Sequence, residues 1–132
     1  MRDRQLRWPN WIGLVVWDLE GQRRFYRDVL GFPELAANED WVQFDMGWPN
    51  LLELLRVGAD PQYDRPRYQP GFAVDDIETA RDALLSRGAE AVTGVEGGVE
   101  AGGFWCYFRD PEGNVFEISQ RLGRGGDLIV GV

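Results

Sequence analysis

The chain has 132 residues, 44% of them hydrophobic and 27% charged, which is the composition of one ordinary globular domain. A formal net charge of −8 with a pI near 4.5 provides no basic face for a polyanion, so neither nucleic acid nor an anionic membrane is expected as a partner. There is no histidine, all 14 basic residues are arginine, and the single cysteine is Cys106; imidazole bases and ligands, Schiff-base lysines, Cys-His nucleophiles and internal disulfides are therefore excluded.

Residues 11 to 17 form a short apolar run that predicts a strand, and Asp18 follows as a helix N-cap. The helix is expected over residues 19 to 30, with apolar positions at 19, 25, 26, 29 and 30, and Gly31 closes it. A weak strand is expected at residues 34 to 37, then a hairpin of residues 41 to 46 and 51 to 57 around Gly47-Trp48-Pro49-Asn50. Residues 59 to 67, with Pro61 and Pro66, read as a connector. The pattern then recurs. Residues 69 to 74 are the strand, Asp76 the cap, Ile77, Ala80 and Leu84 the buried stripe, and Gly88 the stop. A weak strand at residues 91 to 95 leads to a glycine-rich loop holding Gly97, Gly98, Gly102 and Gly103, expected to be mobile. A second hairpin joins residues 104 to 108 and 115 to 120 through Asp110-Pro111-Glu112-Gly113-Asn114. Residues 123 to 132 read as a tail, frayed or docked on a partner subunit. No apolar stretch is long enough to span a membrane and the Arg-rich start opens no export segment, so a cytoplasmic protein is expected.

The recurrence is an internal repeat. Gly13-Leu-Val-Val-Trp-Asp-Leu-Glu20 aligns with Gly71-Phe-Ala-Val-Asp-Asp-Ile-Glu78 at an offset of 58 residues. Trp41-Val-Gln-Phe44 and Asn50-Leu-Leu-Glu53 align with Trp105-Cys-Tyr-Phe108 and Asn114-Val-Phe-Glu117 at an offset of 64 residues. The six extra residues of the second copy are placed within the glycine-rich stretch from 93 to 103. Each copy reads as a strand-helix-strand-strand-strand unit.

Leu19-Glu20 with Phe25-Tyr26-Arg27-Asp28-Val29-Leu30-Gly31-Phe32, and Asp110-Pro111-Glu112-Gly113-Asn114-Val115-Phe116-Glu117, resemble the vicinal oxygen chelate superfamily of glyoxalase, bleomycin-resistance and dioxygenase folds. The resemblance covers residues 10 to 121. It implies an α+β fold of two βαβββ modules whose curled mixed sheet forms a cup. The expected organisation is a single domain over 8–122, with module one at 8–58, a linker at 59–67 and module two at 68–122. It also implies a homodimer, because short members of the family complete their cups across a two-fold axis.

In the family's metal enzymes four side chains converge on the cup, and the motifs carry those positions to Trp11, Glu53, Gln69 and Glu117. The repeat gives the same two pairs. Glu53, Gln69 and Glu117 offer oxygen ligands suited to Mg²⁺ or Mn²⁺, whereas an indole has an N–H and no lone pair to give. Extradiol chemistry is disfavoured because its iron resembles a two-His, one-carboxylate centre. Besides a purely structural or regulatory dimer, which would have no accommodating cavity, two readings stay open. One is a glyoxalase- or bleomycin-resistance-like binder of a small organic molecule that lacks the full metal centre and needs no cofactor, with Trp11, Trp41, Trp105 and Gln69 contacting a flat or cationic ligand. The other is a divalent-metal lyase or isomerase of the glyoxalase or epimerase type, using Glu53, Gln69 and Glu117, with Glu117 shuttling the proton. Cys106, inside a strand with no His or Lys beside it, is expected to be a buried inert thiol.

Overall fold

The computed structural model describes residues 6–123. They divide into two compact units, one of residues 11–69 and one built from the described parts of 1–10 and 70–132. Nine strands and two α-helices occur among the described residues, an α+β content in agreement with the sequence. No helix among them is long and apolar enough to cross a membrane. Apart from Gly123, the expected C-terminal tail lies outside the described residues.

The first unit contains β1 (Arg7–Val16, of which residues 11–16 belong here), α1 (Leu19–Arg24), β2 (Glu34–Ala37), β3 (Trp41–Asp45) and β4 (Leu51–Arg56). Asp18 caps α1 as its position predicts, its carboxylate accepting from the Gly21 N–H at 3.0 Å. The strands lie in the order β2-β3-β4-β1, antiparallel except for the parallel pair of β4 with β1. Strand alternation sends Val16, Val42, Phe44 and Leu54 into one core together with Leu19 of α1. Trp11, Gly13, Val15, Trp41, Gln43, Leu51, Glu53 and Leu55 alternate with these residues.

The expected helix to residue 30 is interrupted. After Arg24 the backbone widens into a π-helical turn over Phe25–Val29, where the Leu30 N–H reaches the Phe25 carbonyl at 3.1 Å. The wider turn places only Tyr26 against Phe32 and Phe44, at ring separations of 5.9 and 6.1 Å. Phe25, Val29 and Leu30, expected on the buried face, are 46%, 68% and 45% exposed. Burial and a hydrogen bond with Tyr68 both raise the Tyr26 phenol above its ordinary value, as suits a packing residue.

Arg23 ties this helix to the edge strand. Its Nε and Nη2 donate to the two oxygens of Glu34 at 2.6 and 3.0 Å, a bidentate pair that holds the Glu34 carboxyl below the usual range. A carboxyl depressed in the folded state contributes stability above its unfolded value and loses it as pH falls through its folded value. Glu34→Gln is therefore expected to cost about 1 kcal/mol at pH 7. Its deficit should shrink below the ordinary carboxyl value near 4.5, which thermal melts of both proteins across an acid series will read.

The second unit contains β5 (Arg67–Ala73, from Pro70 onward here), α2 (Ile77–Ser86), β6 (Glu90–Ala91), β7 (Glu96–Gly98), β8 (Gly103–Arg109) and β9 (Val115–Arg121). β5 pairs in parallel with β9, β9 pairs antiparallel with β8, and β6 and β7 both pair with β8. Val74, Ile77, Ala80, Cys106, Phe108 and Ile118 form the core, extended by Phe104, Phe116 and Leu84. Gly88 stops α2 in a left-handed conformation, φ +90°.

The repeat is visible in the pairing. Gly13 lies opposite Glu53 in the parallel β1–β4 pair, and Gly71 lies opposite Glu117 in the parallel β5–β9 pair. The extra residues of the second copy split its edge strand. Instead of one strand over residues 91 to 95 there are two short pieces, β6 and β7. Gly97 and Gly98, expected in a mobile loop, belong to β7. Gly97 is what makes this possible, because it adopts φ +97° and a Cβ there would lie 2.3 Å from the Gly103 carbonyl oxygen. Two glycines allow the backbones an approach that a sequence reader takes for a loop signal.

Candidate functional site

The first unit organises its polar residues around Glu53. Register places Glu53 between Gln43 of β3 and Gly13 of β1. Trp11, two residues before Gly13 and only 2% exposed, lays its indole over that glycine. The absence of a side chain at 13 is necessary, since a Cβ there would sit 2.1 Å from an indole ring carbon. Lying flat, Trp11 donates from Nε1 to Glu53 Oε1 at 2.9 Å, and Gln43 Nε2 approaches Glu53 Oε2 at 3.4 Å. Gln69, fully buried, is held in the same way: Arg67 Nε donates to its Oε1 at 2.8 Å, while Gln69 Nε2 has no acceptor among the described residues. Arg67 is itself fixed by Asp64 at 2.8 Å.

The second unit presents Glu117, Ser119 and Arg121 on alternate positions of β9, all buried. Opposite them on β8 stand Tyr107 against Glu117 and Trp105 against Ser119. Ser119 Oγ donates to Asn10 Oδ1 at 2.6 Å in a buried pair. Arg121 Nη2 lies 4.0 Å from Glu117 Oε1.

This donor set does not fit a divalent cation. Of the four inferred ligand positions, Trp11 has no lone pair to offer and directs its N–H at the carboxylate in position to be the next ligand. The Gln69 oxygen is taken by a guanidinium, and another guanidinium stands beside Glu117. A cation at any of these oxygens would displace an N–H donor or sit against a positive charge. Among the described residues, no three of His, Cys, Asp and Glu cluster in a way suited to a metal ion.

Residues 8–118 match the model of the Glyoxalase/Bleomycin resistance protein/Dioxygenase superfamily. The chain belongs to that superfamily. Virulence protein STM3117 of Salmonella typhimurium is 31% identical over 119 residues, spanning 81% of this chain and 79% of that protein. Metallothiol transferase FosB of Shouchella clausii is 27% identical over 112 residues, spanning 83% of this chain and 77% of that protein. Among solved structures, methylmalonyl-CoA epimerase from Mycobacterium tuberculosis matches at a TM-score of 0.74 and 18% identity, covering 94% of each chain. The Mn(II)-bound glyoxalase from Novosphingobium aromaticivorans matches at a TM-score of 0.69 and 20% identity; 87% of this chain is covered but only 39% of that one. At these identities the two structures establish the fold.

The remaining residues of this superfamily member fall into place. Trp41 and Trp105 are half-buried, whereas Trp8 and Trp17 are 87% and 71% exposed. Cys106 is fully buried in the core, and burial pushes its thiol up to about 11, far from a reactive thiolate. Gln43, Arg67, Asn10, Ser119 and Arg121 escaped the sequence reading. Period-two alternation was the available signal, since Arg67 precedes Gln69 by two residues and Ser119 and Arg121 follow Glu117 by two and four.

Proposed function

We propose that this protein binds a small, flat organic molecule against faces carrying Trp11, Trp41 and Trp105, with Gln69 as a polar contact, and does so without a divalent metal. The observation that carries this reading is the 2.9 Å hydrogen bond from Trp11 to Glu53, which replaces one inferred ligand and engages the next. The indole rings supply stacking area at low conformational cost. A homodimer in the cytoplasm is part of the proposal, and sedimentation of the purified protein tests the dimer.

The second reading, a metal-dependent lyase or isomerase acting through Glu53, Gln69 and Glu117, draws support from the Mn(II)-bound glyoxalase and the epimerase among its structural neighbours. One measurement separates the two. Purified protein is incubated with Mg²⁺, Mn²⁺, Ni²⁺, Zn²⁺ or Fe²⁺, desalted, and its metal content compared with that of Glu53→Gln/Glu117→Gln. No metal above the double variant is the expected result. Near-stoichiometric metal that the double variant lacks would overturn the binder and favour the enzyme.

A further inference from the structure

The buried guanidinium of Arg121 bears on the ligand's chemistry. Its residue is only 6% exposed, yet it donates no hydrogen bond to any described residue and its Nε is enclosed without an acceptor. Glu117 Oε1 at 4.0 Å from Nη2 is an ionic neighbour beyond hydrogen-bond reach. Two other enclosed Nε atoms, of Arg7 and Arg81, belong to guanidiniums that already donate through an Nη, to Asp75 and to the Thr93 carbonyl. Arg23 and Arg67 show what the group ordinarily finds in this protein, an oxygen on Nε at 2.6 and 2.8 Å. Leaving a charged N–H enclosed and unmatched is costly, and the fork of Nε and Nη is the geometry that a planar carboxylate fills with two parallel hydrogen bonds.

We propose that Arg121 is a carboxylate-binding residue, so that the molecule bound here is a monocarboxylate with a flat apolar body. This rests on the reading that the protein holds a small organic molecule. Glu117 sets the charge of the ligand: one carboxylate on Arg121 is tolerated beside it, whereas a dianion such as a phosphate monoester would meet repulsion. Trp105, opposite Ser119 and therefore one row from Arg121 on the same face, offers the apolar body a flat wall. The acidic composition allows a cationic ligand. At Arg121 itself a cation would meet like charge, whereas a carboxylate meets its complement.

The test uses benzoate, benzamide and benzamidine, which share a ring and differ in charge. The Arg121 Nε–H resonance of ¹⁵N-labelled full-length protein is assigned by its loss in Arg121→Lys, and each probe is titrated in turn. Benzoate is expected to move this resonance saturably, with benzamide and benzamidine leaving it in place. Arg121→Gln should bind benzoate at least tenfold more weakly while the dispersion of its spectrum is retained. Should Arg121→Gln unfold, the comparison of benzoate with benzamide in the unmodified protein decides. The proposal is overturned if benzoate leaves the resonance unmoved, if benzamide moves it equally, or if Arg121→Gln binds benzoate as the unmodified protein does. If benzamide and benzoate shift the Trp105 indole resonance alike while Arg121 stays silent, the carboxylate falls and the organic-molecule reading stands. If no probe moves any resonance, both fall.

Discussion

Gly13→Ala is expected to lower stability by about 3 kcal/mol and the Tm by roughly 10 °C. The added Cβ would lie 2.1, 2.6 and 2.8 Å from three carbons of the Trp11 ring. A flexible side chain would swing away at little cost, but Trp11 is 2% exposed and carries a rigid bicyclic ring, so displacing it disturbs the packing around it. The ring must lift from the sheet, and in doing so it withdraws Nε1 from Glu53 and leaves that carboxylate short of a donor. The two residues therefore act as one unit, which a double-mutant cycle will expose. In a Trp11→Leu background, Gly13→Ala should be close to neutral, giving a coupling energy of about 3 kcal/mol. Additive losses, read from denaturant midpoints of the four proteins, would show that position 13 acts through its own backbone and not through the indole.

That pair also marks what was legible in the chain and what was not. Local chemistry was legible. Asp18 and Asp76 cap the two helices, and Gly88 stops the second, because capping depends on residues within one turn. The repeat placed Glu53 and Glu117 in equivalent positions, and the register agrees, with a glycine opposite each. The first helix was misread beyond Arg24 since hydrophobic spacing alone cannot distinguish an α-turn from a π-turn, which changes the buried face by part of a turn. Gly97 was misread for a related reason: the same residue that loosens a loop allows β7 to approach β8 closely. In the site, positions were legible and hydrogen bonds were not. Trp11 could be placed among the inferred ligands by counting, but that its N–H reaches Glu53 depends on the space above Gly13. Arg121 lay in view at four residues from Glu117, and only its burial without a hydrogen-bond partner among the described residues gave it significance.

The second large effect is a gain of function. Trp11→His is expected to take up Ni²⁺ or Zn²⁺ to near one equivalent, at least tenfold tighter than the unmodified protein binds either ion, a difference of about 1.4 kcal/mol or more. The argument is one of lone pairs. An indole next to Glu53 can only donate, and what it donates to is the carboxylate that a cation would need. An imidazole in its place offers an accepting nitrogen, while the smaller ring frees Glu53 Oε1 and opens room over Gly13. The exchange has a cost, because shrinking a buried tryptophan leaves a void worth about 3 kcal/mol, so the metal-free variant should melt well below the unmodified protein and regain part of the loss when metal is added. Trp11→Phe is the control: it removes the same N–H and also shrinks the ring, yet brings no lone pair. Calorimetric titration of the three proteins with each ion measures the difference. If Trp11→His and Trp11→Phe bind metal equally poorly, the indole is not what closes the site, and the remaining donors, Gln43 on Glu53 and Arg67 on Gln69, would be the groups that hold the oxygens away from a cation.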